Sequence, residues 1–258
     1  MNVLNLFEIE AFAFILILAR MSAFLVTWPV FGGLNVPAPL KVLLSFLISI
    51  SLYPILKGDF KHVFTSYSQL MFYVGKEVFI GLALAQVSYM FFYMIQMMAD
   101  LVSTSLGISS AQLFNPTFQM SATPVDTLYY GLAALFFLLV DGHHMFLTGL
   151  VQSYDVAPIY SWTLDGKSFA QISLIGKDVI VLGFQLASPV LVSILLINIS
   201  LAIVGRAVPQ INVLVTSMPI NALAGIAVLI LSMPFLVDQL GVSLGIFVDQ
   251  FFSFLKTV

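Results

Sequence analysis

Asp141-Gly142-His143-His144 is the one cluster in this sequence whose residue types could ligate a metal or trade protons, and it closes an apolar run. A zinc hydrolase places His-Glu-x-x-His on a helix, so that two imidazoles share one face with a base between them. Adjacent histidines instead point about 100° apart around a helix. A helix-end cap is therefore the expected role of the cluster, and no metal ligands are assigned. The chain has no cysteine, which excludes thiolate metal sites, thiol nucleophiles and iron–sulfur clusters. Neither a Gly-x-x-x-x-Gly-Lys-Ser/Thr phosphate loop nor a dinucleotide fingerprint occurs, so no nucleotide cofactor is expected. Energy for any transport must come from a gradient or a partner.

Gly107-Ile108-Ser109-Ser110-Ala111 superficially matches the Gly-x-Ser-x-Gly/Ala setting of intramembrane serine proteases, with His144 as the base such chemistry would need. No oxyanion hole or gating loop accompanies it, so the expectation is that the chain is not an enzyme. A second pattern is more extended. Gln86, Tyr89, Tyr93, Gln96, Asp100, Ser103, Gly107 and Ser110 recur at 3,4 spacing, which on a helix is one continuous polar stripe. Such a stripe is either the wall of a conduit or a polar seam that joins helices, and both readings stand. Arg20, Lys76, Glu77, Asp100, Asp141 and Arg206 are charges within or beside apolar runs. Each must find a partner or water, and structural pairing between helices or subunits is expected ahead of proton relay.

The elements that would position these residues belong to a membrane protein. Of 258 residues, 60% are hydrophobic and only 8% are charged, where a soluble domain would carry about a quarter. With 9 basic and 12 acidic side chains and no basic block, nucleic acid is not an expected partner. The runs Met21–Leu40, Val78–Ala99, Val179–Gly205 and Ala207–Val237 carry no charge, and each is long enough to cross about 30 Å of hydrocarbon. Val42–Leu56, Leu128–Val140 and Leu240–Leu255 are marginal spanners. Prolines at 29, 37, 39, 189, 209, 219 and 234 predict kinked or broken helices, best accommodated inside an assembly. Gly81 with Ala85, and Gly241 with Gly245, would let helices approach closely. The acidic start, with Glu8 and Glu10, is not that of a cleavable signal peptide. Lysine and arginine counts leave orientation unsettled.

Two stretches read as loops. Gln152–Asp178 has ordinary turn residues. Leu101–Thr127 is rich in hydroxyls and amides but holds only Asp126 as an ionisable group. Too polar for lipid and too uncharged for free solvent, it is expected to pack inside protein or line a passage. Within it, residues 106–122 are expected to plug that passage: Gln112, Phe114, Asn115, Pro116 and Phe118 fill space, and Gly107 lets the segment move aside.

In order along the chain, Gly75-Lys76-Glu77 with Ile80-Gly81, Asp100 with Ser105, Gly107 and Ala111, then Phe114-Asn115-Pro116, Asp141-Gly142-His143, Pro189, Asn198, Gly205-Arg206-Ala207-Val208-Pro209-Gln210-Ile211-Asn212 and Met218-Pro219 make an ordered set. Over essentially its whole length the sequence resembles the FliR/SctT family, the export-gate membrane subunit of flagellar and virulence type III secretion systems, with the flagellar branch favoured. The resemblance implies a single all-α integral-membrane domain over 1–258. It would hold about six to seven kinked apolar helices, arranged as tilted hairpins within a hetero-oligomeric gate. It also implies FliP-like, FliQ-like and FlhB-like partners, unfolded export substrates, no cofactor, and a place in the bacterial inner membrane at the flagellar basal body. The region around Phe114-Asn115-Pro116 would enter the pore. Lys76, Glu77, Asp141, Arg206, Pro209, Gln210 and Asn212 would make structural or partner contacts, with the 206–212 turn on the cytoplasmic side. The alternatives from other classes are an ion or solute transporter and the Ser109 protease.

Overall fold

A computed structural model describes residues 3–29, 36–56, 67–108, 122–158, 166–208, 210 and 212–256. These form seven helices: α1 (Val3–Thr27), α2 (Ala38–Leu56), α3 (Tyr67–Ser105), α4 (Pro124–Leu139), α5 (Gly142–Val156), α6 (Gly166–Ala207) and α7 (Val213–Leu255). Five stretches among the described residues are long and apolar enough to cross a membrane: Glu10–Thr27, Ala38–Leu56, Ser68–Ser105, Ser168–Ala207 and Val215–Leu255. The bent pair α4 and α5, interrupted at Val140 and Asp141, makes a sixth if taken as one span. The all-α membrane class expected from composition is the class observed.

Several expected boundaries shift. Met21–Leu40 is not one span, because α1 stops at Thr27 and α2 begins at Ala38; Pro29, Gly32, Gly33 and Pro37 fall between them. The first span reaches back to Glu10 instead and encloses Arg20. Gln152–Asp178 is not a single connection either. Its first residues continue α5, and α6 starts at Gly166. Nor do Pro189, Pro219 and Pro234 end their helices; they lie inside α6 and α7, and α7 joins two runs that read as separate. Proline leaves the carbonyl four residues before it without a donor. At Pro189 that carbonyl belongs to Gln185, and the Ser188 hydroxyl donates to it at 2.7 Å.

The helices divide into two compact units, each drawn from several stretches of sequence. The first comprises Met1–Met90, His143–Ser173 and Phe247–Val258. In it α1 packs on α2, with the Phe14 ring edge-on to Phe46 and Tyr53 at 5.6 and 6.2 Å. Its centre is polar. Arg20 is completely buried, and its guanidinium donates from Nε to Glu77 at 2.6 Å and from Nη2 to the other Glu77 oxygen at 3.1 Å. Nη1 donates to the Ser153 hydroxyl at 2.9 Å and Nη2 to the Ala157 carbonyl at 2.9 Å. The Tyr154 ring lies 4.0 Å from the guanidinium carbon, and its hydroxyl reaches the Ile17 carbonyl. One side chain on α1 is thus tied to α3 and α5 by charge-assisted, nearly fork-to-fork bonds. Gly81 makes the approach possible: a Cβ there would meet the Arg20 carbonyl at 2.5 Å and Ala23 at 2.9 Å. In the same unit Phe146 stacks edge-on against Phe251 at 5.1 Å, and Gly149 leaves room for the Phe251 ring.

The second unit comprises Phe91–Gly142 and Leu174–Ile246. Its core is aromatic, with Phe92 against Phe137 at 5.4 Å and against Tyr130 at 5.5 Å. Gly183 sits on the Met94 carbonyl, and Gly225 receives the buried Leu106 side chain. The Asn221 amide of α7 donates to Asn198 of α6 at 3.0 Å. By contrast Gly241 and Gly245 have little against them, so the small-residue pair expected to bring helices together does so at Gly81 and not here.

Truncating one partner of a buried ion pair strands the other charge, at a cost of about 3–5 kcal/mol, whereas replacing both with apolar groups is often neutral. Arg20→Ala is therefore expected to lower the thermal stability of the purified protein sharply, and Arg20→Met combined with Glu77→Leu to recover most of the loss. A single variant as stable as wild type would show that the pair does not organise the unit.

Candidate functional site

Helix α3 leaves its polar stripe on the surface. In the second unit Phe91, Phe92, Met94, Ile95, Met98, Ala99 and Val102 are buried while Tyr93, Gln96, Asp100 and Thr104 are exposed. Those four recur at steps of three and four, which is one helix face. Earlier on the same helix Gln86 is exposed as well. Ser103, expected on the stripe, is only 1% exposed. It lies at the edge of the face, turned toward α4, and its hydroxyl donates to Asp126 Oδ1 at 2.7 Å. Asp126 also lies close enough for the two carboxylates to repel, so Asp100 has a like charge beside it that its sequence neighbours do not reveal.

Asp126 is held from both sides. Thr123 is the N-cap of α4, with Pro124 following and the reciprocal bonds of a capping box. The Thr123 N–H donates to Asp126 Oδ2 at 2.6 Å, the Asp126 N–H to Thr123 Oγ1 at 3.2 Å, and the Thr123 hydroxyl to Ser103 Oγ at 3.1 Å. Next to this network Gln96, Ala122, Asp126, Thr127 and Tyr130 line a cleft of about 290 Å³. Such a surface offers hydroxyls, amides and carboxylates.

Gly107 ends α3. Its φ is 76°, the Ile108 N–H reaches the Ser103 carbonyl at 3.2 Å and the Gly107 N–H the Thr104 carbonyl at 3.1 Å, which is the Schellman pattern with glycine at its left-handed position. The residue expected to lend mobility therefore has a defined helix-stopping role. Gln112, Phe114, Asn115, Pro116 and Phe118, along with Ser109, Ser110 and Pro209, lie outside the described residues.

The remaining predicted residues scatter. Glu77 is the buried partner of Arg20, and the Lys76 ammonium lies over the Phe72 ring at 5.0 Å. Asp141 is exposed with φ 55° at the break after α4, a conformation asparagine and aspartate tolerate better than most residues. The His143 and His144 rings sit 4.2 Å apart at the start of α5. Arg206 and Gln210 are exposed. Asn212 caps α7, its side chain accepting from the Val215 N–H at 3.4 Å and its carbonyl from Thr216. Sequence reading missed Ser153, Tyr154 and Ala157 around Arg20, and Asn221 opposite Asn198. Their only signal was the demand that Arg20 and Asn198, polar in apolar helices, find partners somewhere.

Comparison with known proteins gives this arrangement a family. The model for "Bacterial export proteins, family 1" matches residues 11–246. The flagellar biosynthetic protein FliR of Bacillus subtilis (strain 168) is 30% identical over 225 residues, covering 86% of each chain. FliR of Caulobacter vibrioides is 28% identical, covering 84% of this chain and 87% of its own. FliR of Escherichia coli K12 is 24% identical, covering 84% and 82%. The chain belongs to family 1 of the bacterial export proteins, the non-enzymatic membrane family of the flagellar biosynthetic protein FliR.

Proposed function

We propose that this flagellar export protein forms part of the wall of a type III export conduit for unfolded substrates. In this reading it sits in the bacterial inner membrane at the flagellar basal body, assembled with FliP-like, FliQ-like and FlhB-like subunits. The observation that carries the reading is membership of the FliR family, and the surface of the chain supports it. On α6 exposed apolar side chains beyond the exposed Lys177 run from Ile180 to Val204, about 36 Å of helix at 1.5 Å per residue. On α7 those before the exposed Asp238 run from Val215 to Val237, about 33 Å. These faces match the roughly 30 Å of a bilayer with modest tilt, and in this reading apolar partner helices cover them.

The exposed stripe of Tyr93, Gln96, Asp100 and Thr104 supports a polar wall in the same unit. The segment 106–122 is assigned as the plug of the closed conduit, on the strength of its charge-poor, hydroxyl- and amide-rich composition. Arg206, exposed beside the 206–212 turn and without a partner among the described residues, is assigned a carboxylate on a neighbouring subunit.

A tagged chain is expected to come out of detergent with FliP-like and FliQ-like subunits. Recovery of the chain alone, moving a small solute in liposomes, would favour a transporter instead. Deleting Leu113, Phe114 and Asn115 should leave the complex intact and let cells leak ions; a tight membrane around an intact complex would reassign the segment to subunit packing. Arg206→Ala should lower complex yield and motility together, and normal assembly and export would mean that the guanidinium only reaches an interface.

A further inference from the structure

We infer that Asn198 on α6 is a contact residue between subunits, oriented by Asn221 on α7, and that it receives a side-chain carboxamide or hydroxyl oxygen from an otherwise apolar helix of a neighbouring subunit. This rests on the assembly proposed above and adds what selects the partner helix and its register. Asn198 is exposed among the exposed apolar side chains Leu195, Leu196, Ile199 and Ile203. It lies six residues before Val204, and Asn221 lies six after Val215, so both amides sit about 9 Å inside the apolar stretches of their helices. Lipid tails offer an amide at that depth no hydrogen bond.

The other polar side chains nearby are already satisfied. Between Val190 and Val204 the Ser193 and Ser200 hydroxyls return to their own helix, donating to the Pro189 and Leu196 carbonyls at 2.7 and 2.8 Å. Asn198 uses only its oxygen, which accepts from Asn221 Nδ2 at 3.0 Å; its own amine has no partner among the described residues. Asn221 is 8% exposed, and its Oδ1 is buried with no hydrogen-bond partner among the described residues. Burying that oxygen is a cost, and the one bond that Asn221 makes is the bond that orients Asn198. Turning both amides round would be worse, because it would leave a buried amine with two unmet donors. The edge of Asn198 left for a partner is therefore its N–H edge, the positive end of the amide dipole. Charge complementarity asks for an oxygen opposite it, and for a neutral one, since a carboxylate would add the cost of burying an ion. In an apolar interface one such polar contact fixes which helix binds and in which register.

The test coexpresses the tagged full chain with FliP-like and FliQ-like subunits. It reads the fraction of chain recovered in the complex and the thermal stability of the chain purified alone. Replacing both amides, Asn198→Leu with Asn221→Leu, strands no buried group and is expected to leave the isolated chain at least as stable as wild type. The same variant should lower recovery in the complex roughly fivefold, the scale of one interhelical hydrogen bond. Asn198→Asp keeps the oxygen that Asn221 needs and sets a second oxygen against that of the partner, so its loss should be deeper. Recovery equal to wild type in either variant, or a loss of stability in the leucine pair that matches its loss of recovery, would overturn the inference. So would a wild-type chain that binds a second copy of itself and falls to a monomer in the leucine pair. If the wild-type chain comes out without either subunit, the assembly reading fails and this inference with it. If it comes out in the complex and the variants match it, only this inference falls.

Discussion

A guanidinium in the middle of an apolar helix sets the terms for the first unit. Arg20 cannot lose its proton in a protein, and it cannot sit unpaired among Leu16, Ile17, Met21 and Phe24, all fully buried. Four of its donors are met by a carboxylate from α3, a hydroxyl from α5 and the Ala157 carbonyl just after α5, and an aromatic face covers the plane. Such a constellation fits only one register of α1 against α3. Gly81 enforces that register sterically, because its missing Cβ is where the α1 backbone passes. The pair adds little net stability over an apolar substitute; what it adds is a penalty for any other arrangement of the three helices.

The second unit follows the same economy with weaker groups. Asn221 meets Asn198, Ser188 takes the carbonyl that Pro189 leaves open, and Ser103 joins the cap of α4. Each is a polar group placed where the backbone or a neighbour would otherwise go unsatisfied in apolar surroundings. The outer faces of α6 and α7 show no such restraint. Ile180 to Val204 on α6 and Val215 to Val237 on α7 present exposed apolar side chains over about the length a bilayer covers, and in the proposed assembly other helices bury them. Internal order and external incompleteness coexist in one chain, as a subunit of a larger gate requires.

The helical class, the membrane setting and the family are legible in the residues themselves. Composition alone excludes a soluble fold, and motifs such as Asp141-Gly142-His143 and Gly205-Arg206-Ala207 occur in the order the resemblance requires. Boundaries are less legible. Proline reads as a kink or a break, and only the structure shows that at Pro189 a neighbouring hydroxyl takes the freed carbonyl and the helix continues. Partners are the least legible. Arg20 and Glu77 are 57 residues apart and Arg20 and Ala157 are 137 apart, so sequence shows that a partner is owed without showing which. Ser103 illustrates a finer limit: its spacing puts it on the stripe, but only the position of α4 decides that it turns inward to Asp126.

The central claim, that subunits and not lipid cover the outer face of α7, is open to a direct measurement. Single cysteines placed at Leu223, Ile230 and Leu231, which are 73%, 67% and 80% exposed in the isolated chain, can carry a fluorophore and be challenged with a quencher confined to the lipid phase. The account predicts strong quenching when the chain is expressed alone and protection when it is coexpressed with the FliP-like and FliQ-like subunits proposed to bind it. Equal quenching in both preparations would contradict it.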